Sequence, residues 1–106
     1  MLAMSTSLDI WLGMANLRLT STNPKRAEGF TGAFAGFACK ASNIVEAVDA
    51  LCKELEEAGY VLVGIEHMLP VQWLGRQLTT YEAVLVAAVA TYPVQFRDVH
   101  LHKSDS

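Results

Sequence analysis

Three residues near the C-terminal end of the chain have types and spacing that could bind a metal ion. Asp98, His100 and His102 alternate along the segment 94–103. In a β-strand, residues two apart point to the same face at intervals of about 7 Å, so two imidazoles and a carboxylate would lie side by side. Such side chains are common ligands of divalent transition metals. His67 is the remaining imidazole of the sequence and could supply a fourth ligand.

The same pattern also fits an edge strand whose polar side chains are simply solvated or form a pH-sensitive contact. We therefore predict no cofactor, with a divalent metal as the alternative. In that alternative the chain is a small metal-dependent or acid/base enzyme, in which His67 or Glu66 assists the three C-terminal residues. The motifs GxSxG and HExxH and the glycine-rich phosphate loops do not occur in the sequence.

The composition predicts a folded chain with little affinity for polyanions. Eight basic residues stand against eleven acidic ones, for a net charge of −3, which argues against a nucleic-acid partner. Apolar residues make up 52% of the chain and charged residues 18%, far from the composition of disordered proteins. A chain of 106 residues has room for one hydrophobic core, so we expect a single domain over 1–106.

The lack of a recognisable targeting signal and the spacing of the cysteines together favour a cytoplasmic location. The longest apolar run, 83–90, is far shorter than the roughly 20 residues of a membrane-spanning helix, and the N-terminus lacks the pattern of a secretory signal. Cys39 and Cys52 are thirteen positions apart, without CxxC spacing. Each falls on an apolar stripe, which favours buried, reduced thiols over a disulfide or a catalytic thiol.

Periodicity and capping signals predict six elements between two loose tails, 1–8 and 104–106. We expect strands over 9–20, 29–41, 60–69 and 94–103, and helices over 43–58 and 79–92. The first helix has an apolar stripe, an N-cap at Ser42 or Asn43 with Glu46 three residues after Asn43, and Gly59 at its end. The second helix opens with a Thr79–Glu82 capping box. The segment 71–78 is expected to be a loop that holds Trp73 against the core.

The second predicted helix is apolar nearly all round, and this bears on whether the chain folds alone. One of its stripes carries Tyr81, Val84, Leu85, Ala88 and Tyr92, and the opposite one carries Ala83, Val86, Ala87 and Ala90. Such a helix is buried on two sides, which a monomer of this size seldom arranges. The residues 83–90 are also rich enough in β-branched side chains to form a buried strand, and that alternative stays open.

The element order predicts an α+β two-layer sandwich. A four-stranded sheet would carry both helices on one face, in the order strand-strand-helix-strand-helix-strand and with ferredoxin-like architecture. The other face would stay open unless the N-terminal residues or 71–78 fold over it. Seven apolar residues are expected on that open face, subject to which parity points outward: Ile10, Leu12, Met14, Phe30, Phe34, Leu62 and Met68. A contiguous apolar face of this kind predicts self-association.

The functional expectation is therefore a small, non-catalytic, self-associating binding or accessory protein, most simply a homodimer, without nucleic-acid or membrane partners. Two other surfaces suggest ligands. The acidic face of the first helix, with Glu46, Asp49, Glu54, Glu56 and Glu57, could dock a basic protein. Tyr60, Trp73 and Tyr81 could line a pocket beneath the second helix, which would make the chain a sensor of a small apolar ligand.

Overall fold

The computed structural model describes residues 9–103, apart from the side chain of Asp98, and shows an α+β fold with an antiparallel sheet and two helices. The predicted tails, 1–8 and 104–106, lie outside the described residues. The elements are β1 (Asp9–Leu19), β2 (Phe30–Ala41), α1 (Ile44–Glu57), β3 (Tyr60–Pro70), α2 (Thr80–Ala88) and β4 (Val94–Lys103). Short 3-10 helices at Pro24–Glu28 and Val71–Trp73 lie in two of the connections.

The strand order of the sheet is β3-β1-β2-β4, which differs from the predicted ferredoxin-like arrangement. β1 and β2 form a central antiparallel hairpin with Ala15 opposite Ala35, and β3 and β4 add antiparallel to its two outer edges. The physical reason is the short connection between β1 and β2, because it makes them antiparallel neighbours. A ferredoxin-like sheet instead has a helix between its first and second strands.

The two helices lie on opposite faces of the sheet, so the prediction that both share one face is wrong. Helix α1 covers the face that contains Leu17, Ala35 and Cys39. Helix α2 packs on the other face, over Leu12 and Ala38 at one end of the sheet. β3 is an edge strand, and the 3-10 turn after it carries the chain around that edge. The strands carry apolar side chains on both faces of the sheet at this end. Helix α2 can therefore bury its own apolar side chains against the face that α1 does not cover.

Helix α1 forms as its periodicity predicts. The Asn43 side chain accepts a hydrogen bond from the backbone N–H of Glu46 at 2.9 Å, and Gly59 takes a left-handed conformation with φ 89° just after the helix. Ala47, Leu51 and Leu55 are buried against the sheet. The facing side chains of β2 are mostly alanine, which lets the helix backbone approach closely.

Irregular pairing shifts the parity of the edge strands. The pairing of β3 with β1 changes register twice, and each bulge moves the side chains that follow it to the opposite face. Leu62 and Met68, expected on the open face, pack against the core beneath α1. Leu62 pairs with Leu17 on that face, and the two shifts between Leu62 and Met68 cancel, so both residues lie on the same side. Phe30 joins the same core, because the register of β2 with β4 shifts between Phe30 and Gly32.

Candidate functional site

His100 and His102 lie next to each other on β4, on the face of the sheet that carries α2. His100 is opposite Phe34 and His102 is opposite Gly32. The ring of His102 occupies the space that a side chain at position 32 would need, and its centroid is 5.3 Å from that of Phe34. His102 is therefore held by packing on β2.

His67 is not brought together with His100 and His102. His67 is on β3 and the other two histidines are on β4, so three inter-strand steps of about 4.8 Å separate them across the sheet. The pairing of β4 with β2 shifts between Arg97 and His100. Position 97 therefore lies on the same face of the sheet as the two histidines. The side chain of Asp98 lies outside the described residues. Among the side chains that the structure describes, no three from His, Cys, Asp or Glu form a group that could hold a metal.

Helix α2 leaves the middle of its face of the sheet uncovered. We call this area the open half-sheet, and its residues are Met14, Asn16, Arg18, Phe34, His100 and His102. Met14 and Phe34 are 39% and 41% exposed and form its apolar centre. At the β3 edge, Glu66 accepts a hydrogen bond from the Asn16 amide at 3.3 Å. Two of the seven predicted interface residues thus lie on this surface, while Ile10 and Leu12 lie beneath α2.

Helix α2 has apolar side chains on both of its sides. Leu85 and Val89 face the sheet, and the Tyr81 hydroxyl reaches over Gly36 to donate to the carbonyl oxygen of Arg97 at 2.9 Å. The outward stripe is exposed and uncharged, with Thr80, Ala83, Val84 and Ala87. The segment is a helix up to Ala88, so the alternative of a buried strand over 83–90 is wrong. The helix ends at Ala88, before its predicted end at Tyr92. The Gln95 side-chain amide donates to the carbonyl oxygens of Ala88 and Tyr92.

A cleft of about 430 Å³ lies between the N-terminal end of α2, the connection before it, and strands β1 and β3. Its volume falls in the range of about 300–1,000 Å³ that is usual for small-molecule sites. We call it the α2 cleft. Its apolar lining consists of Leu12, Gly13, Met14, Phe37, Leu69, Leu74 and Leu85. Its polar lining consists of His67, Arg76 and Glu82.

His67 has an unusual backbone conformation in this cleft. It is the one described non-glycine residue with a positive φ, 57°, and it sits at a register shift of β3 against β1. Glycine is the usual residue for a left-handed position in a bulge, because side chains there are strained. The His67 side chain is exposed and has no hydrogen bond from the described part of the chain. Strained residues of this kind cluster at functional sites.

An ion pair closes one wall of the α2 cleft. The Arg76 guanidinium donates to both carboxylate oxygens of Glu82, at 2.7 and 2.8 Å, and the backbone N–H of Thr79 donates to the same carboxylate at 2.9 Å. The hydrogen bonds from Arg76, and then the one from Thr79, lower the pKa of Glu82 to about 2. This wall of the cleft is therefore charged, and its hydrogen bonds hold the two side chains in place. The capping box is visible in the sequence, but its arginine partner is not.

None of the three aromatic residues predicted to line a ligand pocket lines the α2 cleft. Tyr60 borders a smaller hollow of about 170 Å³ next to α1. Trp73 is 74% exposed, against the expectation that it packs on the core. Tyr81 lies over Gly36 instead. The spacing of aromatic residues does not indicate on which face of the sheet α2 lies. For this reason the three predicted lining residues differ from those that line the α2 cleft.

Helix α1 also exposes apolar residues, beside its acidic face. Ile44, Val45 and Cys52 are exposed and border a shallow groove along the helix. The expectation that both cysteines are buried is thus confirmed for Cys39 alone. Burial raises the pKa of the Cys39 thiol to about 11, because the thiolate loses its hydration. Both thiols are free.

Comparison of the chain with protein-family models, with curated proteins and with solved structures finds no match. Neither helix of the described region is long and apolar enough to span a membrane.

Proposed function

We propose that this chain is a non-catalytic binding protein that acts through self-association, with α2 of each copy packed on the open half-sheet of the other. The observation that carries the proposal is the two-sided apolar character of α2, which buries one side on its own sheet and exposes the other. Val84 on the outward side is 42% exposed. Helices with this composition are normally buried on both sides.

The open half-sheet suits the outward stripe of α2 in position and in chemistry. It lies next to α2 along the same strands, so a two-fold axis perpendicular to the strands would set the two α2 helices side by side between two sheets. Each helix would then cover the Met14 and Phe34 side chains of the other copy. The stripe carries no charge, and Ala83 and Ala87 allow close approach. Reciprocal contacts of this kind are the rule in two-fold dimers.

The exposed apolar strip of α1 is a weaker candidate for the same role. It lies beside five acidic residues and one lysine on the same helix. A symmetric contact between two copies of α1 would bring these like charges together, which opposes association. The exposed thiol of Cys52 on this strip fits a reducing compartment, and on that ground we propose a cytoplasmic location.

The test is the molar mass by light scattering after size-exclusion chromatography, from micromolar to millimolar concentration. The wild type is expected to have twice the chain mass of 11.6 kDa. Ala87→Glu and Phe34→Lys each put a charge into the proposed contact and are expected to give monomers. Both positions are exposed, so circular dichroism and the melting temperature should show an intact fold. Mixing the two monomeric variants should restore dimers, because one of the two reciprocal contacts becomes an ion pair and the other stays wild type.

The matched control is Val45→Glu, which charges a more exposed apolar residue on α1. It should leave the dimer intact. A monomeric wild type at all concentrations would contradict the proposal. So would dissociation by Val45→Glu together with a dimeric Ala87→Glu variant, because the contact would then lie on α1.

A further inference from the structure

The α2 cleft combines an apolar interior with unused hydrogen-bond donors at its polar wall. Leu12 and Leu85 are buried at its base. Gly13 leaves room for the Phe37 ring, since an added Cβ would lie 2.7 Å from Phe37 Cζ and 3.2 Å from the Cα atom of Met68. The apolar interior is therefore built by side chains of the three strands β1, β2 and β3, of α2 and of the connection before α2, and it does not depend on a second copy.

Donors for an anionic group come from two side chains. Three of the five N–H groups of Arg76 donate to Glu82 and to the Gln77 carbonyl, which leaves two without an acceptor in the described region. The His67 imidazole offers a further N–H and has no described partner. The Glu82 carboxylate already accepts three hydrogen bonds, two from Arg76 and one from the Thr79 backbone, and its charge is balanced by Arg76. The available donors therefore favour a ligand with an acceptor group over one with a cationic group.

From this arrangement we propose that the α2 cleft binds a small amphipathic carboxylic acid. Its apolar body occupies the space among Leu12, Leu69 and Leu85, and its carboxylate accepts hydrogen bonds from His67 and Arg76. The left-handed conformation of His67 keeps the imidazole at this wall. This inference goes beyond the proposed self-association, because one copy of the chain supplies every residue of the cleft.

Three probes with the same apolar chain test the head-group preference: octanoate, octan-1-ol and octylamine. Calorimetric titration should show one octanoate site per chain, with affinity about tenfold or more above that for octylamine, as expected for a charge-assisted hydrogen bond. In methyl NMR spectra, octanoate should shift the resonances of Leu12, Leu69 and Leu85. The same titration with the Ala87→Glu variant should give the same affinity, which separates this site from the dimer contact.

Variants then assign the carboxylate contact. His67→Gly keeps a residue suited to positive φ and removes the imidazole, so it should lower octanoate affinity about tenfold and leave octan-1-ol affinity unchanged. His100→Gly removes an exposed imidazole outside the cleft and should change neither. Leu74→Trp fills the cleft from the surface connection and should abolish binding of all three probes.

Three outcomes would overturn the inference. The first is the absence of saturable octanoate binding to the wild type. The second is equal affinity for the three probes, which would mean that no head group is recognised. The third is a set of methyl NMR shifts centred on Ala83, Val84 and Ala87, because the acid would then adsorb to the exposed apolar surface instead of entering the cleft.

Discussion

The Arg76 guanidinium binds the Glu82 carboxylate through two hydrogen bonds, and this pair ties the connection after β3 to the first turn of α2. Two-point pairing of this kind is geometrically specific and stronger than a single contact. The wall of the α2 cleft is thus held by the same side chain that completes the capping box of α2. The stability of the helix start and the shape of the cleft are therefore linked.

The Glu82 carboxylate should make stability depend on pH. Its pKa in the folded protein is lowered from 4.5 to about 2, mainly by Arg76. The ionised form is favoured by folding, so its contribution is complete above pH 4.5 and is lost as the pH falls toward 2. The difference in unfolding free energy between wild type and Glu82→Gln, measured by urea unfolding, should be largest near neutral pH and shrink over this range. A difference that stays constant would show that the pair does not stabilise the charged form.

His67→Gly should stabilise the protein. A non-glycine residue at φ 57° carries backbone strain of about 1 kcal/mol, which glycine relieves. Glycine also increases the entropy of the unfolded chain, so the net gain is expected to be a fraction of that value. Urea unfolding at neutral pH measures it. The control is His100→Gly on β4, which should lower stability by about 0.5–1 kcal/mol, as interior strand glycines do. If both variants lose stability equally, position 67 is not strained.

Gly36→Ala should lower stability because the new methyl group collides with the Tyr81 hydroxyl. The expected cost of displacing this ring and its hydrogen bond to the Arg97 carbonyl is about 1–3 kcal/mol. In a Tyr81→Phe background the same substitution should cost less, since the colliding oxygen is gone. A double-mutant cycle by chemical denaturation gives the interaction energy between the two positions. Additive effects would exclude this contact as the cause.

The two cysteines should differ sharply in reactivity toward a disulfide reagent such as Ellman's. Cys52 is exposed and should react within the mixing time of a manual assay, whereas Cys39 is buried and has a pKa of about 11. Thiolate is the reactive form, so Cys39 should react at the rate of unfolding. In the Cys52→Ser variant the fast phase should disappear. A second fast thiol in the wild type would mean that the layer between α1 and β2 opens readily.

The all-round apolar character of α2 was predictable from residue patterns, and so was a set of seven candidate surface residues that includes Met14 and Phe34, because apolar periodicity depends on local chain geometry alone. Their adjacency was not, since it follows from the face of the sheet on which α2 lies. A helix that is apolar all round has no polar side to orient it. The chain's path around the β3 edge decides the face instead.

The sequence by itself determined the α+β class, the capped start of α1 at Ser42 or Asn43 and the Thr79–Glu82 box of α2. These features depend on hydrogen bonds and side-chain spacing within a few residues. Only the tertiary structure decided the strand order, the strand register that places Leu62 and Met68 in the core, and the meeting of His67 with Arg76 in one cleft. Each of these depends on pairing and packing between segments distant in the chain, where a shift of one residue reverses which face a side chain occupies.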